Sequence, residues 1–497
     1  MSVSLSRITG TPVGSFQPSR APGIGNTLRS LISLLWIEIR RSQGYWLLPL
    51  MVGLGWFLNR SQNWEGVTLW PNLSKWTMQS YVLIGPLAAA LAAWIVDRDR
   101  RRQVQGLVET MATSPFRRDL VRLATAAFWG LAGYGLVAVW YGFQGVREAT
   151  WGGLDLALIA TGALGIVILA GVGFIVGRLV RGKFSPILAV AVAFFVAAAP
   201  DFIQELTRVP NETYTDLAIR PLTPWGLVAT RGPDIYSRFA SGYLSSALLW
   251  LTGAAAVVLA VIALMRGWRR NWTAWAALAA SCVVALFGAD RVMGYNGGYG
   301  SSFEDDLRIP FTWSCETTAA VEFCVHPAYE AKLDESAQQI TDMLTPIVGL
   351  PGVPTRWEQQ SQFGDNAPGV GVFYPGNQLV NGHNIAFTIF SPDDHFGGQF
   401  TAAQSVILTW LSGRVDPESR QFGMFNHPAE LVGTPRVDDQ GRGMGYEVNQ
   451  ADAEYFSGEI TAAVDRFAAL SPEAQRSWLE ANWDALRAGE ITLDHMP

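Results

Sequence analysis

The chain has 497 residues, of which 49% are hydrophobic and 16% are charged. A soluble globular domain carries about 25% charged residues, so this composition excludes an ordinary soluble protein. The charge is also divided unevenly: residues 1–290 carry 25 Lys and Arg against 14 Asp and Glu, whereas residues 291–497 carry 11 against 28. The basic residues of the first part are separated by apolar runs and form no single patch, so we expect no nucleic-acid partner.

Residues 1–26 form a polar start with three prolines and no apolar run of the signal-peptide type. We expect this start to be a cytosolic tail. The next segment, 27–42, reads TLRSLISLLWIEIRRS and places five apolar residues on one helical face: Leu28, Leu31, Leu34, Leu35 and Ile39. It is predicted to be an amphipathic helix in the membrane interface. The alternative is an N-terminal extension of the first membrane span.

Residues 43–290 are predicted to form a polytopic α-helical transmembrane domain of six helices plus one. Its apolar stretches approach the roughly 20 residues that cross a bilayer. They lie at about 43–59, 76–96, 123–145, 154–180, 185–203, 241–265 and 272–289. With the N-terminus inside, the inner connections hold 18 Lys and Arg and the outer ones 7, in agreement with the positive-inside rule. We therefore expect a multi-pass protein of the plasma membrane, and the 33 Arg against 3 Lys favour a bacterial one.

Residues 291–497 then lie outside and are predicted to form an extracytoplasmic α+β domain. Strand-rich segments are expected at 309–325, 355–362, 369–374 and 385–390, and helices at 328–345, 399–412, 451–470 and 472–488. Cys315 and Cys324 lie in two short β-rich segments around a turn. Because the exterior is oxidising, we predict a disulfide between them. Two unpaired thiols are the alternative.

No catalytic motif is recognisable in the outer part. Its segments VHP and LPGVPTR are loosely similar to zinc aminopeptidases, but the later helix FTAAQSVILTWLSG lacks the two His and the Glu that such a metal site needs. The other candidate cation ligands are isolated polar residues of surface type: His383, Asp393, Asp394, His395, His427 and Glu430. We therefore predict no metal and no cofactor, and we expect that the chain is not an enzyme.

The connection 97–122, between the second and third predicted spans, is the most informative cytosolic segment. It begins with an arginine cluster and continues as GLVETMATSPFRRDLVR before re-entering the membrane as a basic helix. From the residues alone, a solvated positive loop and a docking surface for a soluble partner are both open. The pattern resembles the permease subunits of type 2 ABC exporters, in which this loop and the N-terminal helix contact a separate ATP-binding subunit.

The resemblance covers roughly residues 27–266 and implies a transport subunit of an ATP-driven exporter. It also implies a homodimer or a heterodimer with a similar permease in the lipid bilayer, with ATP hydrolysis on a separate ABC subunit. The coupling residues carried over by position are Glu38, Arg41, Glu109, Thr113, Ser114, Pro115, Arg117 and Arg118. The seventh span and the outer domain depart from the six-span plan of that family. The alternative function is a membrane-anchored outer domain, related to a zinc aminopeptidase without its metal motif, that acts in binding or sensing.

Overall fold

Long α-helices dominate the first part of the chain. The computed structural model describes residues 24–60, 67–101, 114–180, 182–206, 242–265, 272–296, 309–359, 369–375, 385, 388–390, 400–414, 435–437, 443–446 and 450–497. The helices of the first part are α1 (Ile24–Arg41), α2 (Leu48–Arg60), α3 (Trp70–Gln79), α4 (Tyr81–Arg101), α5 (Pro115–Glu148), α6 (Leu156–Leu179), α7 (Ser185–Leu206), α8 (Tyr243–Met265) and α9 (Trp272–Asn296).

Within the described ranges, five helical segments are long and apolar enough to cross a membrane. They are Trp70–Arg98, Pro115–Glu148, Leu156–Leu179, Tyr243–Met265 and Trp272–Val292. Shorter apolar helices lie at Gly44–Phe57 and Ser185–Ala198, where the sequence predicts the first and fifth spans. The chain thus has the helices of a multi-pass membrane protein, whereas the count of six spans plus one stays a prediction.

Glycine permits a close contact between the backbones of α4 and α6. A Cβ atom on Gly173 of α6 would collide with the backbone of Ala89 on α4, and a Cβ atom on Gly177 would lie 2.6 Å from the Cα atom of Ala93. Small residues let helix backbones approach in this way in an apolar environment, where van der Waals contact drives association. Since both residue numbers rise together along the contact, α4 and α6 run in the same direction.

The bundle has two distinct ends because α5 runs against α4 and α6. Gly130 of α5 packs against Ile166 of α6, whereas Tyr134 packs against the earlier residue Gly162. The carboxyl ends of α4 and α6 therefore lie at the same end as the start of α5. We call this the arginine-rich end, since these helix termini carry Arg98, Arg101, Arg117, Arg118, Arg122 and Arg178.

The C-terminal part combines strands and helices. Among its described residues, β1 (Ser314–Thr318), β2 (Val321–Val325), β3 (Arg356–Gln359) and β4 (Gly371–Phe373) form one sheet in that order, and β5 (Pro435–Val437) pairs with β6 (Gly443–Tyr446). The β1–β2 pair is antiparallel, whereas β2–β3 and β3–β4 are parallel. The helices are α10 (Leu333–Leu344), α11 (Ala402–Ser412), α12 (Gln450–Ala468) and α13 (Pro472–Arg487).

The predicted disulfide is confirmed. Cys315 and Cys324 face each other in the β1–β2 hairpin and are covalently joined through their Sγ atoms. Their Cα atoms are 4.1 Å apart, close to the roughly 4.5 Å of a non-hydrogen-bonded pair in an antiparallel ladder. The register of the hairpin therefore brings the two cysteines together without any rearrangement of the backbone.

The strand expected at 385–390 is wrong. The described residues of that segment, 385 and 388–390, are helical. Ile385 and Ile389 are 1% and 0% exposed, and a spacing of four suits a buried helical face as well as one face of a strand. A short apolar run does not by itself distinguish a buried strand from a buried helix.

The C-terminal part packs onto the bundle at the end opposite the arginines. Thr150, in the connection between α5 and α6, donates a hydrogen bond from Oγ1 to the backbone oxygen of Ala328 at 2.7 Å. The ring of Trp151 meets the ring of His326 edge to face, with the two ring centroids 4.7 Å apart. Two residues that precede α3 are buried in the same apolar core as β2 and β3: Val67 and Leu69.

His326 is fully buried at this junction. Its ring also packs against Phe311, with the two ring centroids 4.4 Å apart. Its Nδ1 atom accepts a hydrogen bond from the backbone N–H of Ala328, and its own backbone N–H donates to Oε1 of Gln359. Burial lowers the pKa of His326 to about 4, because the imidazolium form would lose its hydration. His326 is therefore neutral at physiological pH.

We expect the substitution Gly173→Ala to destabilise the bundle and Gly135→Ala to leave it unchanged or stabilise it slightly. Both changes favour the helix by up to about 1 kcal/mol. Only the first forces a methyl group into the Ala89 backbone, whereas a Cβ atom on Gly135 meets nothing within 4 Å. The cost of overpacking is about 1–3 kcal/mol. Thermal unfolding of the two variants in one detergent measures the difference, and equal midpoints would contradict the close contact.

A second prediction concerns acid. Because the folded pKa of His326 lies below the value of about 6.5 for an unfolded chain, the unfolded state binds more protons between these values. The free energy of unfolding should therefore fall as the pH drops from 6.5 towards 4, by about 1–2 kcal/mol at roughly pH 5. His326→Asn retains a side-chain acceptor for the Ala328 N–H and should flatten this dependence. Unfolding of both proteins across this pH range tests it, and parallel curves would exclude His326 as the source.

Candidate functional site at the arginine-rich end

An ion pair beside a buried isoleucine joins helix α1 to the arginine-rich end. Ile39 is 7% exposed. Next to it, Glu38 accepts a hydrogen bond at Oε1 from Nη2 of Arg98, at 2.5 Å. The two side chains are only 15% and 17% exposed, so solvent screens the ion pair weakly. Since Arg98 lies in the last turn of α4, this pair joins α1 directly to the beginning of the 97–122 connection.

The turn that follows α1 is seated against α5. The indole Nε1 of Trp129 donates a hydrogen bond to Oγ of Ser42 at 2.7 Å, and that hydroxyl donates to the backbone oxygen of Ile39 at 2.8 Å. A Cβ atom on Gly44 would collide with the ring of Trp129. Between them Gln43 has a φ of 57°, a left-handed conformation that interrupts a helix. Helices α1 and α2 are therefore separate elements joined at a fixed elbow.

The first turn of α5 explains the Ser-Pro step of the sequence. Ser114 is the N-cap, and its side chain accepts the backbone N–H of Arg117 at 3.3 Å. Pro115 occupies the first helical position, where its missing N–H costs nothing. Ser114, Pro115 and Arg117 are exposed, and Arg118 is half-buried. This helix start presents Arg117 on the surface at the arginine-rich end.

A buried carboxylate ties this start of α5 to α6. Asp119 is 1% exposed. It accepts a hydrogen bond from Nη2 of Arg178, near the end of α6, and its Oδ1 lies 3.9 Å from Nη1 of Arg122. Removing one partner of a buried ion pair leaves an uncompensated charge and is strongly destabilising. The pair therefore holds the start of α5 and the end of α6 in one relative position.

Sequence reasoning did not select Asp119. The local signal for it is weak: one acidic residue in the basic run PFRRDLVR, three positions before Arg122. Its principal partner, Arg178, is 59 positions away. A contact of that separation leaves no periodicity in the sequence, so the pair becomes visible only when the antiparallel packing of α5 and α6 is known.

The structure places six of the predicted coupling residues at the arginine-rich end: Glu38, Arg41, Ser114, Pro115, Arg117 and Arg118. Glu38 is engaged by Arg98, whereas Arg41 and Arg117 are exposed. Two further coupling residues, Glu109 and Thr113, lie outside the described residues. The same holds for the polar candidates of the C-terminal part: His383, Asp393, Asp394, His395, His427 and Glu430.

The grouping of possible metal ligands in the described part of the chain is Cys315, Glu322 and Cys324. Both of its sulfur atoms belong to the disulfide, so this group offers no thiolate to a metal. Comparison with known protein families, with curated proteins and with solved structures finds no match to this chain. The described features that bear on function are the apolar helices and the two elements at the arginine-rich end, helix α1 and the start of α5.

We expect Asp119→Leu to lower the free energy of unfolding by about 3–5 kcal/mol, because it leaves the Arg178 side chain, which is only 15% exposed, without its carboxylate. The double variant Asp119→Leu/Arg178→Met should recover much of this loss, since an apolar pair of similar volume replaces the ion pair. Glu148→Gln, at the exposed far end of the same helix, serves as the control and should have little effect. Unfolding midpoints in detergent test this; a double variant no better than Asp119→Leu would argue against direct coupling of the two residues.

Proposed function

We propose that the chain is the membrane-spanning permease subunit of an ATP-driven exporter of the type 2 ABC class, and that a separate ATPase docks at its arginine-rich end. One arrangement carries this proposal: the Glu38–Arg98 pair fixes α1 at the same end of the bundle as the exposed start of α5. These are the two elements that the resemblance assigns to the ATPase contact.

The packing offers a route for movement. A docked subunit that displaces Arg117 also moves the first turn of α5. Because Asp119 is bonded to Arg178, this movement is transmitted to α6. Helix α6 lies backbone to backbone on α4 at Gly173, so the two helices move together. Since packed interfaces favour discrete arrangements over continuous deformation, ATP-driven closure would tilt this unit between two positions. Alternating access to a substrate follows from such a tilt.

The opposite end of the bundle supports a role for the C-terminal part in receiving or capping the substrate. The connection between α5 and α6 carries both Thr150 and Trp151, which contact the C-terminal part directly. A tilt of α5 and α6 therefore reaches it without an intervening linker. The Cys315–Cys324 disulfide favours an oxidising compartment for this part, and the arginine-rich end then faces the cytosol of a bacterial cell.

The decisive experiment is a mild-detergent pull-down of the tagged full chain from its native membrane, followed by mass spectrometry and an ATPase assay. The wild-type chain should recover a stoichiometric nucleotide-binding protein, expected as two copies with a permease dimer. Arg117→Glu should reduce this recovery at least tenfold, because it reverses a surface charge at the docking end.

Arg147→Glu is the matched control. Arg147 is also exposed and lies on α5, but at the opposite end, so this variant should retain the partner. Both variants should keep the unfolding midpoint of the wild-type chain. Recovery of the wild-type chain without any ATPase would overturn the proposal and favour an anchored C-terminal part that acts in binding or sensing. Equal recovery with both variants would remove Arg117 from the docking surface.

A further inference from the structure

Helix α1 has an outward face that its contacts with the bundle leave exposed. Ile32, Trp36 and Ile37 are 58%, 53% and 46% exposed. Exposed arginines accompany them on the same helix, at Arg29, Arg40 and Arg41. The acidic residue of α1, Glu38, is directed to Arg98 of α4. The outward face is therefore both apolar and positively charged.

Cation and aromatic ring are paired on this face. The guanidinium carbon of Arg40 lies 4.7 Å from the centroid of the Trp36 ring, within the range of a cation–π contact. In the elbow that follows, Tyr45 and Trp46 are 47% and 71% exposed. Tryptophan and tyrosine concentrate where hydrocarbon meets the headgroup layer, because their rings are amphipathic.

The same pairing recurs on the neighbouring helix. The guanidinium of Arg101 lies over the ring of Trp94, 3.4 Å from the centroid, and Trp94 is 48% exposed. Since Arg98 is held by Glu38, this second pair belongs to the region of α4 to which α1 is attached. Two arginine–tryptophan pairs thus lie at the same end of a bundle of candidate membrane spans.

We propose that the outward face of α1 binds anionic phospholipids. Arg40 and Arg41 contact the headgroup phosphates, while Trp36, Ile37 and Trp46 insert among the upper acyl carbons. The charge of the face complements a phosphate, and its apolar side chains match the layer just below the headgroups. Lipid accounts for these large apolar side chains better than a soluble partner does, because they flank helices that are themselves apolar enough to span a membrane. This proposal needs the membrane placement only and is independent of any ATPase.

The test uses the purified full chain in detergent and counts bound lipids by native mass spectrometry. The probes are phosphatidylglycerol, which is anionic, and phosphatidylcholine of the same chain length, which is not. The wild-type chain should retain phosphatidylglycerol preferentially. Arg40→Gln/Arg41→Gln should weaken that binding by about tenfold or more, because each substitution removes a charge-assisted contact with the headgroup phosphate.

Three comparisons keep the test specific. Arg40→Lys/Arg41→Lys should restore most of the binding, which a merely misfolded helix would not. Arg147→Gln should bind like the wild-type chain, although Arg147 also lies over an aromatic ring, that of Phe143, at the other end of the bundle. Inorganic phosphate in large excess should displace little lipid, since the apolar contacts are part of the site.

Unchanged phosphatidylglycerol binding in the Arg→Gln double variant would overturn the proposal, and so would equal retention of the two lipids by the wild-type chain. A double variant that keeps its lipid but loses a co-purifying ATPase would assign the face to a protein partner instead. Loss of lipid binding with the ATPase retained would support the lipid assignment and leave the proposed transport function untouched.

Discussion

The close approach of α4 and α6 is the constraint on which the rest of the bundle depends. In an apolar environment no hydrophobic gain draws helices together, so surface contact between them has to supply the association. Gly173 and Gly177 make that contact backbone to backbone against Ala89 and Ala93. Once these two helices run side by side in one direction, α5 has to return against them. The two ends of the molecule follow from that return.

The acidic side chains at the arginine-rich end lie next to arginines that the helix packing brings within reach. Asp119 is buried at the start of α5 but faces Arg178 of α6, and Glu38 reaches from α1 to Arg98 of α4. Asp97 lies 3.5 Å from Arg101 on its own helix. An unpaired buried charge costs several kcal/mol, so the Asp119–Arg178 and Glu38–Arg98 pairs resist separation of the helices that they join. The arginine-rich end is therefore stiff in its interior while its surface still presents cations.

Sequence patterns predicted the structural features that depend on neighbouring residues. The apolar runs predicted the long helices, and the spacing of Cys315 and Cys324 around a turn predicted their disulfide. The helical conformation of residues 385 and 388–390 was missed because the spacing of Ile385 and Ile389 fits a strand nearly as well as a helix. Asp119 and Arg178, which form the interhelical ion pair of the site, are 59 positions apart in the sequence. Trp151 and His326, which meet where the C-terminal part packs onto the bundle, are separated in the sequence by helices α6 to α9. Such contacts leave no local trace, so the sequence predicted helices α1 and α5 but not the side-chain contacts that connect them to the rest of the bundle.

Transmission of a movement through the bundle requires one helix that stays fixed and another that moves relative to it. If the outward face of α1 is held in the headgroup layer, the Glu38–Arg98 pair fixes the end of α4 relative to the membrane surface. In the part of the chain that the structure describes, no such anchor contacts the exposed side of the α5 start, at Ser114 and Arg117. A force at the arginine-rich end would then move α5 relative to α1 and the lipid that holds it. Movement of α5 at the arginine-rich end would displace Trp151 against the ring of His326 at the opposite end. The position of the C-terminal part on the bundle would change as a result.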